Sequence, residues 1–402
     1  MKLSSGGKNI IDYIDVIIVF CFSGLIISTL IIFHVPNDFG VHKDILINSL
    51  AKGQFPAPPV YYGLLYIFSF GLASGKIIFA ATVFLISFFV TMKFSVTKYF
   101  VRKIIINSNP KFTNMTESEY LKLNRIVIFI SSCLIIITPL SFGTSLYLGK
   151  IGINVWHNDT IIAEWPFALL LFIYSSNYLY YKEKRDFYRI IIFIIVCILI
   201  KPSYFLAFIA AFPIMSLISE YIKAKNLKFD IRILLIILIG LTVLFTQYYL
   251  IYKLGVSEMP GSNYLQKTVI KINPFYVWKI YSKNIPFDLM MSIMYPVIFI
   301  IGYFKKIRHN IGYIYSLITF LIGLLIAILF VEAGPRDFHG NFFWTVIITN
   351  YILFAYSISL NVKFILDRNR LLLKDYFLLT IFMAHVISGM YYIISLYILK
   401  SF

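Results

Sequence analysis

Asp38 and His42 stand four positions apart in "NDFGVHKDILINSLAKG", which puts a carboxylate and an imidazole about one helical turn from each other. Such a pair can take a proton from a hydroxyl and give it back. A second group lies far along the chain in "EAGPRDFHGNFFW", residues 332–344, where Glu332, Arg336, Asp337 and His339 fall within eight positions between two apolar runs. Arg336 has a planar fork that can hold two phosphate oxygens, with His339 in support and Glu332 either orienting Arg336 or acting as a second acid. His157 in "NVWHNDT" and Lys201 in "KPSYFLAF" are candidates for the same anion. A base for a hydroxyl and cations for a departing phosphate are what group transfer from a phosphate to a hydroxyl requires.

Each group also has a plainer reading. Asp38 can cap a helix while His42 sits at an interface. Lys201, at a short corner, can reach the interface along its methylene stem. Glu332 and Arg336 can pair with each other inside a compact turn, since Gly334 and Pro335 between them argue against a helix there. Gly340 suits a positive φ just before the next apolar run begins near Asn341. The His and Asp of "WHND" are too few for a metal site, so none is expected there, and no cofactor is implied.

These residues sit in a chain of 402 residues that is 60% hydrophobic and 13% charged, with mean hydropathy +0.84. That composition predicts an integral membrane protein, all-α, with a single domain over residues 1–402. About eleven stretches are long enough to span, near 14–34, 60–93 (a short segment, then a span), 125–143, 160–180, 188–200, 202–219, 232–252, 287–304, 311–331, 343–362 and 376–399. With the N-terminus in the cytoplasm, the cytoplasmic segments, among them 93–125, receive 24 of the 36 Lys and Arg. The net charge of +18 is thereby a matter of topology, and no nucleic-acid partner is expected.

The opposite face receives the chemistry: Asp38, His42, Asp44, His157, Asp159, Glu258, Glu332, Arg336, Asp337 and His339, with Glu164 just inside a span. All four tryptophans, Trp156, Trp165, Trp278 and Trp344, fall there too. An interfacial aromatic belt is expected for at least two, with sugar stacking as the alternative. Cys21, Cys133 and Cys197 lie inside apolar runs and read as small buried hydrophobes. In the first outer loop, Pro36 and Asn37 predict a helix start with Asn37 as its cap, running to about Lys52 and closed by Gly53. Val41, Ile45 and Leu46 then form a narrow apolar stripe, as on an amphipathic helix lying on a membrane.

Asp38 early in that loop, the stretch "LAKGQFP" and the entry "PPVYYGLLYIF" resemble the C-type polytopic glycosyltransferases, the GT-C superfamily. "NVWHNDT", "KPSYFLAF" and "EAGPRDFHGNFFW" carry the likeness on toward bacterial GT-C-like membrane proteins. The resemblance implies a helical bundle in the cytoplasmic (inner) membrane, with its active-site loops on the outer, periplasmic side. It further implies Asp38 as catalytic base and a sugar donor carried on a polyprenyl phosphate, with a glycan or lipid-linked acceptor. Many members carry two acids in that loop, whereas Asn37 precedes Asp38 here, so a divalent metal is possible by the resemblance but not indicated by these residues. The expected function is a membrane glycosyltransferase. An O-antigen or capsular repeat-unit polymerase using polyprenyl-diphosphate oligosaccharides is the alternative, and a lipid or glycan transporter or flippase the second. Transporters keep polar groups near the bilayer midplane and often show repeats; the charges here lie at one face and no repeat is seen.

Overall fold

The computed structural model describes residues 11–106, 116–141, 149–225, 230–257 and 267–398. Glu258 lies outside them. Apolar runs have nowhere to place backbone polar groups except in helical hydrogen bonds, and the described residues form fourteen helices. These are α1 (Ile11–Ile32), α2 (Phe39–Ala51), α3 (Pro59–Phe68), α4 (Gly75–Ile106), α5 (Glu117–Ile136), α6 (Asp159–Tyr181), α7 (Lys184–Ile200), α8 (Ser203–Ala224) and α9 (Ile231–Tyr248). After a π-helical turn at Tyr249–Lys253 come α10 (Tyr276–Tyr281), α11 (Ile285–Ile307), α12 (Ile311–Leu329), α13 (Phe343–Arg368) and α14 (Leu373–Ile398). Eight of them, α1, α4, α8, α9 and α11 to α14, are long and apolar enough to cross a membrane. The stretches expected to span at 125–143, 160–180 and 188–200 overlap the helices α5, α6 and α7, which are not among those eight.

α13 is the axis of the bundle. It packs on α12, α4 and α8, and nearly all its side chains from Trp344 to Asn361 are buried, polar ones included. Thr349 illustrates how such groups can be satisfied, its Oγ1 donating to the carbonyls of Thr345 and Val346, each at 3.1 Å.

Several expectations change. The chain is not purely helical, because β1 (Val269–Ile272) pairs antiparallel with β2 (Phe330–Ala333), setting Ile270 opposite Glu332. Helix α4 runs 13 residues past the expected end of its span at 93, to Ile106. Lys93 is therefore no loop cation: it is buried, 3.4 Å above the Trp165 ring and 4.1 Å from that of Tyr351, and donates to Asn154 at 2.6 Å. Aromatic faces and an amide oxygen replace water around the ammonium. No tryptophan forms an interfacial belt; all four are buried within the protein. Their length and rigidity make them core-fillers and ligands for Lys93 and the loop carbonyl of Gly149, which accepts from Trp278 Nε1 at 2.8 Å. Cys133 and Cys197 are buried, but Cys21 is exposed on α1.

The connections between helices gather at two ends. The α1–α2 link, the 149–158 loop before α6, the α7–α8 corner, the segment after α9 and the α12–β2–α13 connection meet at one end around a single cavity. The α6–α7 and α13–α14 connections and the start of α9 lie at the other, closed by Tyr178 and Lys182 on Asp230 and by Arg368 on Asp375.

Candidate functional site

Helix α2 sets the first two groups. Asp38, not Asn37, is its N-cap residue, while the Asn37 side chain accepts from the Phe39 N–H at 3.0 Å. The Asp38 side chain makes no capping bond. Instead its Oδ2 accepts from the Asn158 side chain, and its N–H donates to the His157 carbonyl at 2.9 Å. The apolar stripe divides: Leu46 is buried in the core, whereas Val41 and Ile45 face the cavity.

His42 has both ring nitrogens engaged. Nε2 lies 3.1 Å from Asp159 Oδ1, and Nδ1 lies 2.6 Å from the hydroxyl of Tyr62. Asp159 also accepts from Tyr61 at 2.6 Å and from the Thr160 N–H at 2.8 Å. It is the first residue of α6 and fully buried, which raises its pKa, with His42 opposing. The same helix start supplies Asn158, whose side chain caps α6 by accepting from the Ile161 N–H at 3.0 Å while its amide holds Asp38.

Lys201 stays inside the protein. Its Nζ donates to Thr160 Oγ1 at 3.2 Å and to Asn158 Oδ1 at 3.4 Å, and lies 4.9 Å from the Trp344 ring. The reach to the interface is replaced by an inward position on the cavity wall. Burial lowers its pKa, opposed by Asp38, Glu164 and Asp159. Glu164 is fully buried and accepts from the Tyr204 N–H at 2.8 Å, an acid at the start of α8 that fixes the corner bearing Lys201.

The segment 334–342 is a turn as expected, with Gly334 and Gly340 both at positive φ. The ion pair forms nonetheless, Arg336 Nε lying 3.2 Å from Glu332 Oε2. Glu332 is held by two more donors, Tyr252 and Asn341, each at 2.5 Å. Asp337 is turned away and accepts from Tyr276 at 3.0 Å. The His339 ring packs on Phe338, and its pKa is lowered by burial and then by Arg336.

Asp38, His42, Lys201, Glu332, Arg336 and His339 thus share the wall of one cavity of about 860 Å3. Its remaining surface is largely apolar, with Ile45, Leu206, Leu244, Phe245 and Ile251 among the lining residues. His157 is the exception among the predicted residues, since it is buried and does not line this cavity. Its ring sits 6.1 Å from that of Trp344, and burial lowers its pKa to about 4. It is the His157 carbonyl, not the ring, that reaches Asp38, and the ring lies off the wall shared by Lys201 and Arg336.

Asn158, Tyr62 and Tyr252 escaped the sequence reading, and Asp159, which it placed on the outer face, was given no role there. Asp159 and Asn158 had one available signal, their position at the start of a span. Nothing in the sequence paired them with α2. Among the described residues, no three His, Cys, Asp or Glu come together as metal ligands would. The chain matches no family model and no curated protein.

Proposed function

We propose that the chain is a membrane glycosyltransferase of the GT-C kind, moving a sugar from a polyprenyl phosphate to a glycan or lipid-linked acceptor at the outer face of the cytoplasmic membrane. The observation carrying this reading is the make-up of the cavity lining, which divides between the polar and charged groups Arg336, His339, Lys201, Asp38 and His42 and a larger set of apolar side chains from α2, α8 and α9. A phosphate with an isoprenoid tail has the same division. Arg336 and Lys201 offset the charge that grows on the phosphate as its bond to the sugar breaks, and the Asp38–His42 end accepts the acceptor's proton. The reading includes eleven crossings, α5, α6 and α7 with the eight helices long and apolar enough to span, and the Lys- and Arg-rich connections in the cytoplasm.

The test uses membranes from cells expressing the protein, labelled with radioactive nucleotide sugars so that endogenous carrier and acceptor are used. Asp38→Asn and Arg336→Ala, at full expression, are expected to abolish labelled glycan. Intact synthesis in both would overturn the assignment. Consumption of a polyprenyl-diphosphate oligosaccharide would favour a polymerase, and lipid movement without a glycosidic product would favour transport.

A further inference from the structure

The fixed hydrogen-bond polarity around His42 says how the site meets a hydroxyl. Asp159 already accepts from Tyr61 and the Thr160 N–H, so it faces His42 as an acceptor and the proton of the imidazole belongs on Nε2. Nδ1 is then a lone pair, and Tyr62 must donate to it across 2.6 Å. Tyr62 lines the cavity, yet its one proton is committed to His42. Its oxygen can only accept from whatever occupies the cavity.

We propose that Tyr62 is a catalytic residue that receives the acceptor hydroxyl as a hydrogen-bond acceptor and relays its proton to His42, with Asp159 orienting the imidazole. This rests on the glycosyltransferase reading and specifies its proton route. As the sugar's bond to phosphate oxygen breaks, its electron pair leaves with the phosphate, and the acceptor oxygen forms the new bond to the sugar carbon. The acceptor's proton passes to the Tyr62 oxygen while the Tyr62 proton passes to His42 Nδ1, leaving an imidazolium against the Asp159 carboxylate. Asp38, whose Oδ2 is occupied by Asn158, remains the carboxylate facing the sugar. A hydroxyl, an imidazole and an orienting acid stand in the same order in hydrolase triads, where the hydroxyl is itself the nucleophile rather than a relay.

The experiment compares Tyr62→Phe and Arg336→Ala in nanodiscs and in labelled membranes. Tyr62→Phe is expected to lower the maximal rate of glycan labelling about a hundredfold, the ordinary loss of general-base assistance, with farnesyl phosphate binding within about twofold of the parent. In 15N-histidine spectra of the parent protein, the His42 proton is expected on Nε2. Retained labelling by Tyr62→Phe, or a neutral His42 with its proton on Nδ1, would overturn the relay. Thermal unfolding guards against simple misfolding, and Asp159→Asn supplies a second variant expected to lose rate without losing farnesyl phosphate. If Arg336→Ala binds farnesyl phosphate as well as the parent and still makes glycan, the lipid-phosphate reading fails instead, while the His42 tautomer is judged on its own spectrum.

Discussion

Arg336 is held by Glu332, but Glu332 does not depend on Arg336. The carboxylate keeps Tyr252 and Asn341 as donors when the guanidinium is removed, so Arg336→Ala should fold normally while farnesyl phosphate binds about ten- to a hundredfold more weakly, the range for losing charged hydrogen bonds. Arg336→Lys should recover only part of that, because an ammonium lacks the two-pronged fork; recovery to parent affinity, measured by calorimetry in nanodiscs, would refute a two-oxygen clamp. His157 makes a different prediction. Its pKa of about 4 in the fold lies below the ordinary 6.5, so between those values the unfolded chain holds a proton that the folded one lacks. Stability is therefore full above about pH 6.5 and falls by up to about 3 kcal/mol as the pH drops toward 4. Thermal unfolding at pH 7.5 and 5 should show this loss in the parent and a smaller one in His157→Gln. At this scale the sequence was legible where a residue type has few uses beside hydrocarbon, as for Asp38, His42 and Arg336. Asp159 was harder to recognise because its meaning comes from His42, 117 positions earlier.

Among the elements, helices were readable because each apolar run must satisfy its own backbone, and the α2 boundaries follow from local signals such as Gly53 at φ 65°. The β1–β2 pair was not readable, since four-residue strands separated by three helices carry no periodicity of their own. Lys93 was misread for a related reason: charge beside an apolar run signals a loop unless Trp165 and Tyr351 are known to lie against it. Helix contacts also fix where side chains cannot go. A Cβ on Gly389 of α14 would lie 2.0 Å from the Ile136 carbonyl oxygen on α5, whereas one on Gly40 of α2 would meet nothing within 4 Å. Gly389→Ala should destabilise by about 1–3 kcal/mol as two backbones are forced apart. Gly40→Ala should be neutral or stabilise by up to about 1 kcal/mol through helix propensity. Detergent-solubilised melting curves separate the two, and equal melting temperatures would mean that α14 does not pack so closely on α5.

For the whole molecule, the charge asymmetry and the distances between the two ends of the bundle make one claim together. Helix α13 starts beside the cavity at Phe343 and has 26 residues, about 39 Å at 1.5 Å per residue, more than the roughly 30 Å of a hydrocarbon core. Helix α6 likewise starts in the site at Asp159 and runs 23 residues, about 34 Å, to the Lys-rich connection before α7. The site and the basic connections are thus one bilayer thickness apart, and from the retention of positive charge in the cytoplasm we propose that the site faces outward. Single cysteines test this in a Cys21→Ser background, because Cys133 and Cys197 are buried and should stay silent. Gln54→Cys, exposed on the link between α2 and α3, should react with a membrane-impermeant maleimide on intact cells. Lys184→Cys, exposed at the start of α7, and Arg370→Cys, exposed between α13 and α14, should react only after permeabilisation. Labelling of Gln54→Cys and Arg370→Cys from the same side would contradict a membrane-crossing α13. Labelling of only the Lys184 and Arg370 positions on intact cells would keep the bundle but turn the site toward the cytoplasm, where its lipid-linked donor would have to be presented from the inner leaflet.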